Sequence, residues 1–154
     1  MDRSRFYFDW ILTDALAVGP APRADRHLQR LADAGILAVL SLCSVAEAPP
    51  PIEMEDNFSC RRLVLPDHRC SEPMTIGQLQ QAMALLEELR SVGPVYVHCV
   101  AGVERSPMVC MAWLVMQHGQ HPQRALDYVM QSHPGTNPLP QQWFLLEQLQ
   151  RLRH

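Results

Sequence analysis

The residues His98-Cys99-Val100-Ala101-Gly102-Val103-Glu104-Arg105-Ser106 place a thiol, a guanidinium and a hydroxyl in one nine-residue stretch. A cysteine is mostly protonated at neutral pH, but one that faces backbone N–H groups at a helix N-terminus, with an arginine nearby, is driven towards the thiolate. The spacing therefore sets a nucleophile at an anion site. Gly102 lets the backbone fold back so that successive amides point into one concavity, and Arg105 has the planar fork that binds two oxygens of a phosphate. Ser106 offers a hydroxyl beside the sulfur. The competing reading, a buried structural thiol on a strand-to-helix turn, leaves Gly102, Arg105 and Ser106 without a reason.

Such a loop needs a strand before it and a helix after it. Residues 95–97 are a short apolar run, and 108–116 are apolar all round, the pattern of a helix buried at the centre of a domain. Pro107 suits the first turn of that helix, where its missing N–H costs nothing. Upstream, 6–16 reads as an opening strand or edge segment and 18–22 as a turn. Residues 23–34 read as a helix with Leu28, Leu31 and Ala32 at helical spacing and Gly35 after it. Residues 36–42 make a buried strand, 44–57 a proline-rich and acidic surface loop with a turn of helix, and 58–65 the next strand. Residues 75–91 form a helix capped by Thr75, with Leu79, Met83 and Leu86 on one face and Gly93-Pro94 stopping it. Gly119 ends the central helix. Two more follow over 121–132, with Ala125, Leu126 and Val129 inward, and over 138–152, built on Trp143, Leu146 and Leu149. Strands alternating with helices predict a three-layer α/β fold whose mostly parallel central sheet of about five strands is flanked by helices. The loop then lies at the carboxyl end of a strand, where open α/β sheets bind ligands.

Phosphoryl transfer also needs an acid for the leaving oxygen. Asp67 stands 32 residues before Cys99, at the tip of a strand-to-helix connection able to arch over the pocket. Taken alone, Pro66-Asp67 is a turn former; beside Cys99 it is the carboxylate best placed in the strand order, with Asp56 and Glu72 in reserve. His98 belongs to a Cys–His pair of the kind used in base catalysis. At a strand end its side chain points away from the face that Cys99 uses, so it reads as a buried hydrogen-bonding residue that orients the loop.

The nine residues resemble the signature loop of the cysteine-dependent protein tyrosine phosphatases, H-C-x-x-G-x-x-R-S, with all five fixed positions matched. The likeness is to the dual-specificity branch, whose smaller members carry their general acid on a loop at about this separation, where Asp67 is the match. It is sharp from Val95 to Pro107 and looser over the rest of the chain. The resemblance implies a tyrosine-phosphatase-like fold and attack by Cys99 on phosphorus, giving a phosphocysteine. It further implies proton donation and then water activation by Asp67, hydrogen bonding of Ser106 to sulfur, and charge stabilisation by Arg105 and the amides of Val100, Ala101, Gly102, Val103 and Glu104. No metal or other cofactor is implied. It also points to Gln141 as a water-positioning residue ahead of the last helix, where helix capping or plain exposure are equal alternatives. Cys43 lies where some relatives keep a thiol that pairs with the nucleophile, although nothing local lowers its pKa and it reads as buried and inert.

At 154 residues the chain fits one catalytic domain over 1–154. Its net charge of −3 shows no global attraction to nucleic acid or anionic lipid. The start of the chain, Met1 to Trp10, is too short and too broken by acid for a secretory leader, and no run is long enough to span a bilayer. A cytoplasmic monomer is expected. Five cysteines without C-x-x-C spacing argue against a disulfide framework and a zinc knuckle. His68, His118, His121 and His133 lack ligand spacing and read as ordinary surface or core residues.

The loop carries Val100, Val103 and Glu104 where phosphoinositide-directed relatives carry lysines, which counts against polyanionic lipids and RNA 5′-triphosphates. The expected substrate is a phosphorylated protein, phosphotyrosine and also phosphoserine or phosphothreonine, since no equivalent of a long phosphotyrosine-recognition loop is visible. The alternatives are a phosphorylated carbohydrate or lipid and a phosphate-binding pseudophosphatase module. Low-mass phosphatases and arsenate reductases place their cysteine loop near the N-terminus with the acid downstream, the reverse of this order. A rhodanese-type sulfur transferase has no need of Arg105 beside Ser106 and a proton donor.

Overall fold

The central strand of the computed structural model is the one that ends in the loop. β5 (Val95–His98) has parallel neighbours on both sides, β2 (Leu16–Gly19) and β3 (Ala38–Ser41), with β4 (Ser59–Arg62) parallel beyond β3 and β1 (Asp9–Leu12) antiparallel beyond β2. The order is β1-β2-β5-β3-β4. The described residues are 6–153, so the first residues of the expected leaderless start lie outside them.

Side chains alternate across a strand, and here the alternation sorts two cores. Leu16 and Val18, Ala38 and Leu40, and Val95 and Val97 face one layer, while Ala17, Val39 and Tyr96 face the other. The second layer holds α1 (Asp25–Asp33), through Leu28 and Leu31, and the short α2 (Met54–Asn57), through Met54. The first and larger layer holds α3 (Ile76–Arg90), α4 (Arg105–His118), α5 (Pro122–Ser132) and α6 (Pro140–Leu152). Burial on all sides keeps α4 at the centre: every residue from Arg105 to Val115 is buried, and Gly119 ends it in the left-handed conformation at φ 64°. α3 starts with a reciprocal cap. Thr75 Oγ1 accepts from the Gln78 amide at 3.1 Å and Gln78 Oε1 accepts from the Thr75 amide at 2.9 Å, a device worth about 1 kcal/mol. Among the described residues no helix is long and apolar enough to cross a membrane.

The opening of the chain departs from the expectation. Residues 6–16 are not one strand, and 18–22 are not simply a turn: the chain reverses at Asp14, φ 61°, and Leu16–Gly19 returns as a fully buried strand. Four residues ending in Gly19, with Pro20 next, carry too little periodicity to separate such a strand from a turn. Gly19 is required there for space, because a Cβ would meet the Tyr96 hydroxyl at 2.6 Å.

Candidate active site

β5 delivers Cys99 on the same face as Val95 and Val97, and α4 begins at Arg105, so the loop between them is held by a fully buried strand and the buried start of a helix. Cys99 is 3% exposed, and its Sγ lies 3.2 Å from the Ser106 Oγ. Gly102 has φ 77°, a conformation that suits glycine, and a Cβ there would sit 2.5 Å from the Gly19 carbonyl carbon. The end of β2 and the loop are in backbone contact, which no other residue type permits.

The outward side of the loop is bonded to the scaffold. The Ala21 amide donates to the Val100 carbonyl at 3.0 Å and the Asn137 amide to the Val103 carbonyl at 2.7 Å. His98 Nδ1 donates to the Cys99 carbonyl at 3.0 Å, while its Nε2 takes the Ser41 hydroxyl at 2.7 Å. Burial is the main cause that lowers its pKa to about 4, with Arg62 and Arg105 adding to it against the Cys99 hydrogen bond. It is a neutral imidazole with one donor and one acceptor nitrogen, unsuited to act as a base on the far face. His133, grouped with the ordinary histidines in the sequence reading, instead bridges Asp9 Oδ2 and the Gly102 carbonyl at 2.6 Å each.

Arg105 is 4% exposed and donates to the Leu65 carbonyl at 3.0 Å and to Glu47 Oε1 at 3.0 Å, with longer contacts of 3.4 Å to the Leu42 carbonyl and Glu47 Oε2. Burial lowers the guanidinium, but the Glu47 bond and the nearby Cys99 and Asp67 outweigh it and raise its pKa. Burial raises Glu47 as well, and the Ser44 amide together with Arg105 brings it below the usual carboxylate range. Glu47 sits in the loop expected to be plain surface. Its signal is the S-x-x-E pattern of Ser44 and Glu47, which bond reciprocally at 2.8 and 3.1 Å like a capping box.

Asp67, His68 and Arg69 line one cleft with Cys99, Val100, Ala101, Val103, Glu104 and Arg105. Burial pushes the Asp67 carboxyl up, but the Arg69 amide at 2.9 Å, the Arg69 guanidinium at 2.9 and 3.1 Å and the more distant Arg105 together bring it down to about 2. Asp67 is therefore a carboxylate in the free site. The reserve acids Asp56 and Glu72 are exposed and line no part of this cleft.

One placement differs from the sequence reading, and another falls on an alternative it left open. Glu104 does not present its charge at the rim: it is 7% exposed and bonds His68 Nδ1 at 3.2 Å and Gln142 Nε2 at 3.3 Å. Gln141 is exposed, beside Asp67 in the neighbouring cleft, and the buried contact to the loop comes from Gln142. α6 starts at Pro140, and each residue turns the helix by about 100°, so only the third position faces back to accept from the Leu139 amide, at 2.9 Å, and to reach Glu104. Cys43 is fully buried, its Sγ 4.0 Å from His98 Nδ1. Burial pushes its thiol up despite Arg105 and Arg62, and burial does the same to Cys60 and Cys110. Among the described residues no group of three potential metal ligands occurs.

Residues 18–152 match the family model described as dual specificity phosphatase, catalytic domain. Dual specificity protein phosphatase 2 of Mus musculus is 31% identical over 112 residues, 72% of this chain and 33% of that protein, so the chain spans about a third of the length of this curated relative. Two solved structures are similar over nearly all of their length. PTPMT1 in complex with PI(5)P has a TM-score of 0.82 at 18% identity, with 96% of each chain covered, a likeness of fold. Tk-PTP in the active form has a TM-score of 0.79 at 26% identity, covering 94% of this chain and 96% of that one.

Proposed function

Because the chain belongs to the family of dual specificity phosphatase catalytic domains, we propose that it hydrolyses phosphomonoesters, phosphotyrosine and also phosphoserine or phosphothreonine in proteins, through a phosphocysteine on Cys99. The observation that carries this reading is the meeting, at the start of one buried helix, of the Cys99 sulfur, the Ser106 hydroxyl 3.2 Å away and the Arg105 guanidinium. The Cys99 thiolate attacks phosphorus; the S–P bond forms as the P–O bond to the leaving group breaks, and Asp67 gives that oxygen its proton. Water then attacks, losing a proton to Asp67 as the S–P bond breaks, and phosphate leaves with the thiolate restored. Ser106 hydrogen-bonds the departing sulfur. Arg105 commits Nη1 and part of Nη2 to Leu65, Leu42 and Glu47, which leaves Nε–H and one Nη2–H as a fork for two phosphate oxygens.

Asp67 must take up a proton for this role, and the incoming phosphate dianion supplies the means. Its negative charge beside the carboxylate raises the carboxyl, and the same charge draws Arg69 off Asp67. The proposed steps need no metal.

The reading extends to a single catalytic domain over 1–154 that works as a monomer on phosphorylated protein in the cytoplasm. The five cysteines stand as free thiols, the state that a reducing compartment keeps. A phosphorylated lipid or carbohydrate is the second reading, drawn from the fold likeness to a protein solved with PI(5)P; the Val100 and Val103 side chains at the cleft argue for a singly phosphorylated ligand in either case. Purified protein is expected to hydrolyse an aryl phosphate without added metal, to be inhibited by orthovanadate, and to lose turnover as Cys99→Ser while still retaining phosphoprotein in a pull-down. Full activity of Cys99→Ser sinks the nucleophile. Retention of phospholipid vesicles rather than phosphopeptides by that variant moves the substrate to the second reading.

A further inference from the structure

Four outward carbonyls of the phosphate loop are clamped by the scaffold: those of Cys99, Val100, Gly102 and Val103. A trans peptide is planar, so its C=O and the following N–H point in opposite directions. A carbonyl held on the outside therefore aims the next amide at the cleft. Three of the clamps are neutral, two backbone amides and the His98 imidazole. The fourth is His133, and it is different in kind.

Both ring nitrogens of His133 face oxygens that accept: Nδ1 lies 2.6 Å from the carboxylate of Asp9 on β1, and Nε2 lies 2.6 Å from the Gly102 carbonyl. A neutral imidazole donates from one nitrogen only, so one of these two contacts turns lone pair against lone pair unless the ring carries both protons. The ring is 7% exposed at the end of α5, and its own carbonyl accepts from the Thr136 hydroxyl at 2.7 Å, which keeps the residue in place. Asp9 is the titratable side chain bonded to it. Tyr128, earlier on α5, bonds the Ile11 carbonyl of β1, and Glu104 of the loop is occupied by His68 and Gln142.

We propose that His133 is a positioning residue that works as an imidazolium: held by Asp9, it clamps the Gly102 carbonyl, aims the Val103 amide at the bound phosphoryl group and sets a positive charge behind the loop. This rests on the reading of the loop as a phosphate cradle. With both protons on the ring both clamps hold; a ring left with one proton keeps only one of them, and oxyanion binding weakens.

The test is orthovanadate affinity against pH for the whole chain. His133→Gln retains one donor and no charge, and is expected to bind about tenfold more weakly at neutral pH with a shallower fall as pH rises. His133→Arg has donors enough for both oxygens and a permanent charge; it is expected to restore neutral-pH affinity and to hold it to higher pH than the natural chain. Asp9→Asn, at a partly exposed site on the edge strand, removes the partner charge and is expected to weaken vanadate binding at neutral pH. Should His133→Gln bind as the natural chain does at every pH, or His133→Arg fail to restore binding while remaining folded by circular dichroism, the proposal is overturned and the phosphatase reading stands. A natural chain that neither binds vanadate nor hydrolyses aryl phosphate overturns the phosphatase reading instead.

Discussion

The phosphate loop and the Asp67 turn face each other across one cleft, yet they are secured in opposite ways. The loop is gripped from the residues after β2, from β3 through His98, from α5 through His133 and from the segment before α6, while its arginine is held by Glu47, 58 residues away in sequence. Asp67 is bonded to Arg69 and Cys70, two and three residues on, and the Arg69 side chain is 69% exposed. In the proposed mechanism the nucleophilic half presents its donors before substrate arrives, since preorganised dipoles stabilise charge without reorganising during reaction. The acid half changes protonation state within each turnover of that mechanism, and its partner Arg69 is local and largely exposed, so the pair can open from the solvent side although the Asp67 side chain is itself only 10% exposed.

Three variants test that contrast. Arg105→Lys strikes the rigid half hardest: an ammonium cannot bond Glu47, Leu65 and two phosphate oxygens at once, so kcat/KM on an aryl phosphate is expected to fall at least about a hundredfold. A loss of only a few fold would mean that the loop tolerates a point charge and the two halves do not differ. Asp67→Asn comes next. Steady-state kinetics should show a fall in kcat of roughly 10²- to 10⁴-fold on alkyl phosphates and much less on activated aryl phosphates, whose leaving groups need little protonation, with no more than a small drop in melting temperature from the lost Arg69 pair. Equal losses on both substrates, or a large drop in melting temperature, would assign Asp67 to the frame.

The smallest effect belongs to Arg69→Met. Asp67 is held down to about 2 chiefly by Arg69 working against burial; without that cation the carboxyl rises, the protonated acid survives to higher pH, and the alkaline limb of the kcat/KM profile moves upward. Turnover at neutral pH should change by less than about tenfold, since Arg69 forms the exposed end of the pair. A limb that stays where it was would show that Arg69 does not set the state of the acid.

How much of this could be read from residues alone follows the range of the interactions. The Thr75 cap was legible because both partners lie within one turn of α3, and the burial of α4 because apolar residues occupy every face. The β1–β2 hairpin was not, since its second strand has four residues and turns at Asp14 rather than at a glycine. Ser44-x-x-Glu47 is a local pattern that the surface-loop reading passed over, and its purpose lies outside any local pattern, because Arg105 reaches Glu47 only after β3 and β5 have paired. That Gln142 and not Gln141 touches the loop depended on where α6 starts, a one-residue matter that rotates the side chain by about 100°.

The thiol, the glycine, the guanidinium and the hydroxyl, and the strand and helix that bracket them, follow from the order of residues because all lie within a few positions of one another, where spacing alone dictates geometry. Which groups clamp the loop from behind was decided by the tertiary structure: Glu47 on Arg105, His133 on Gly102 across 31 residues, Gln142 on Glu104 across 38. Those bonds join elements that meet only through the β1-β2-β5-β3-β4 order of the sheet, and no periodicity along a chain records which distant acceptor a side chain will find.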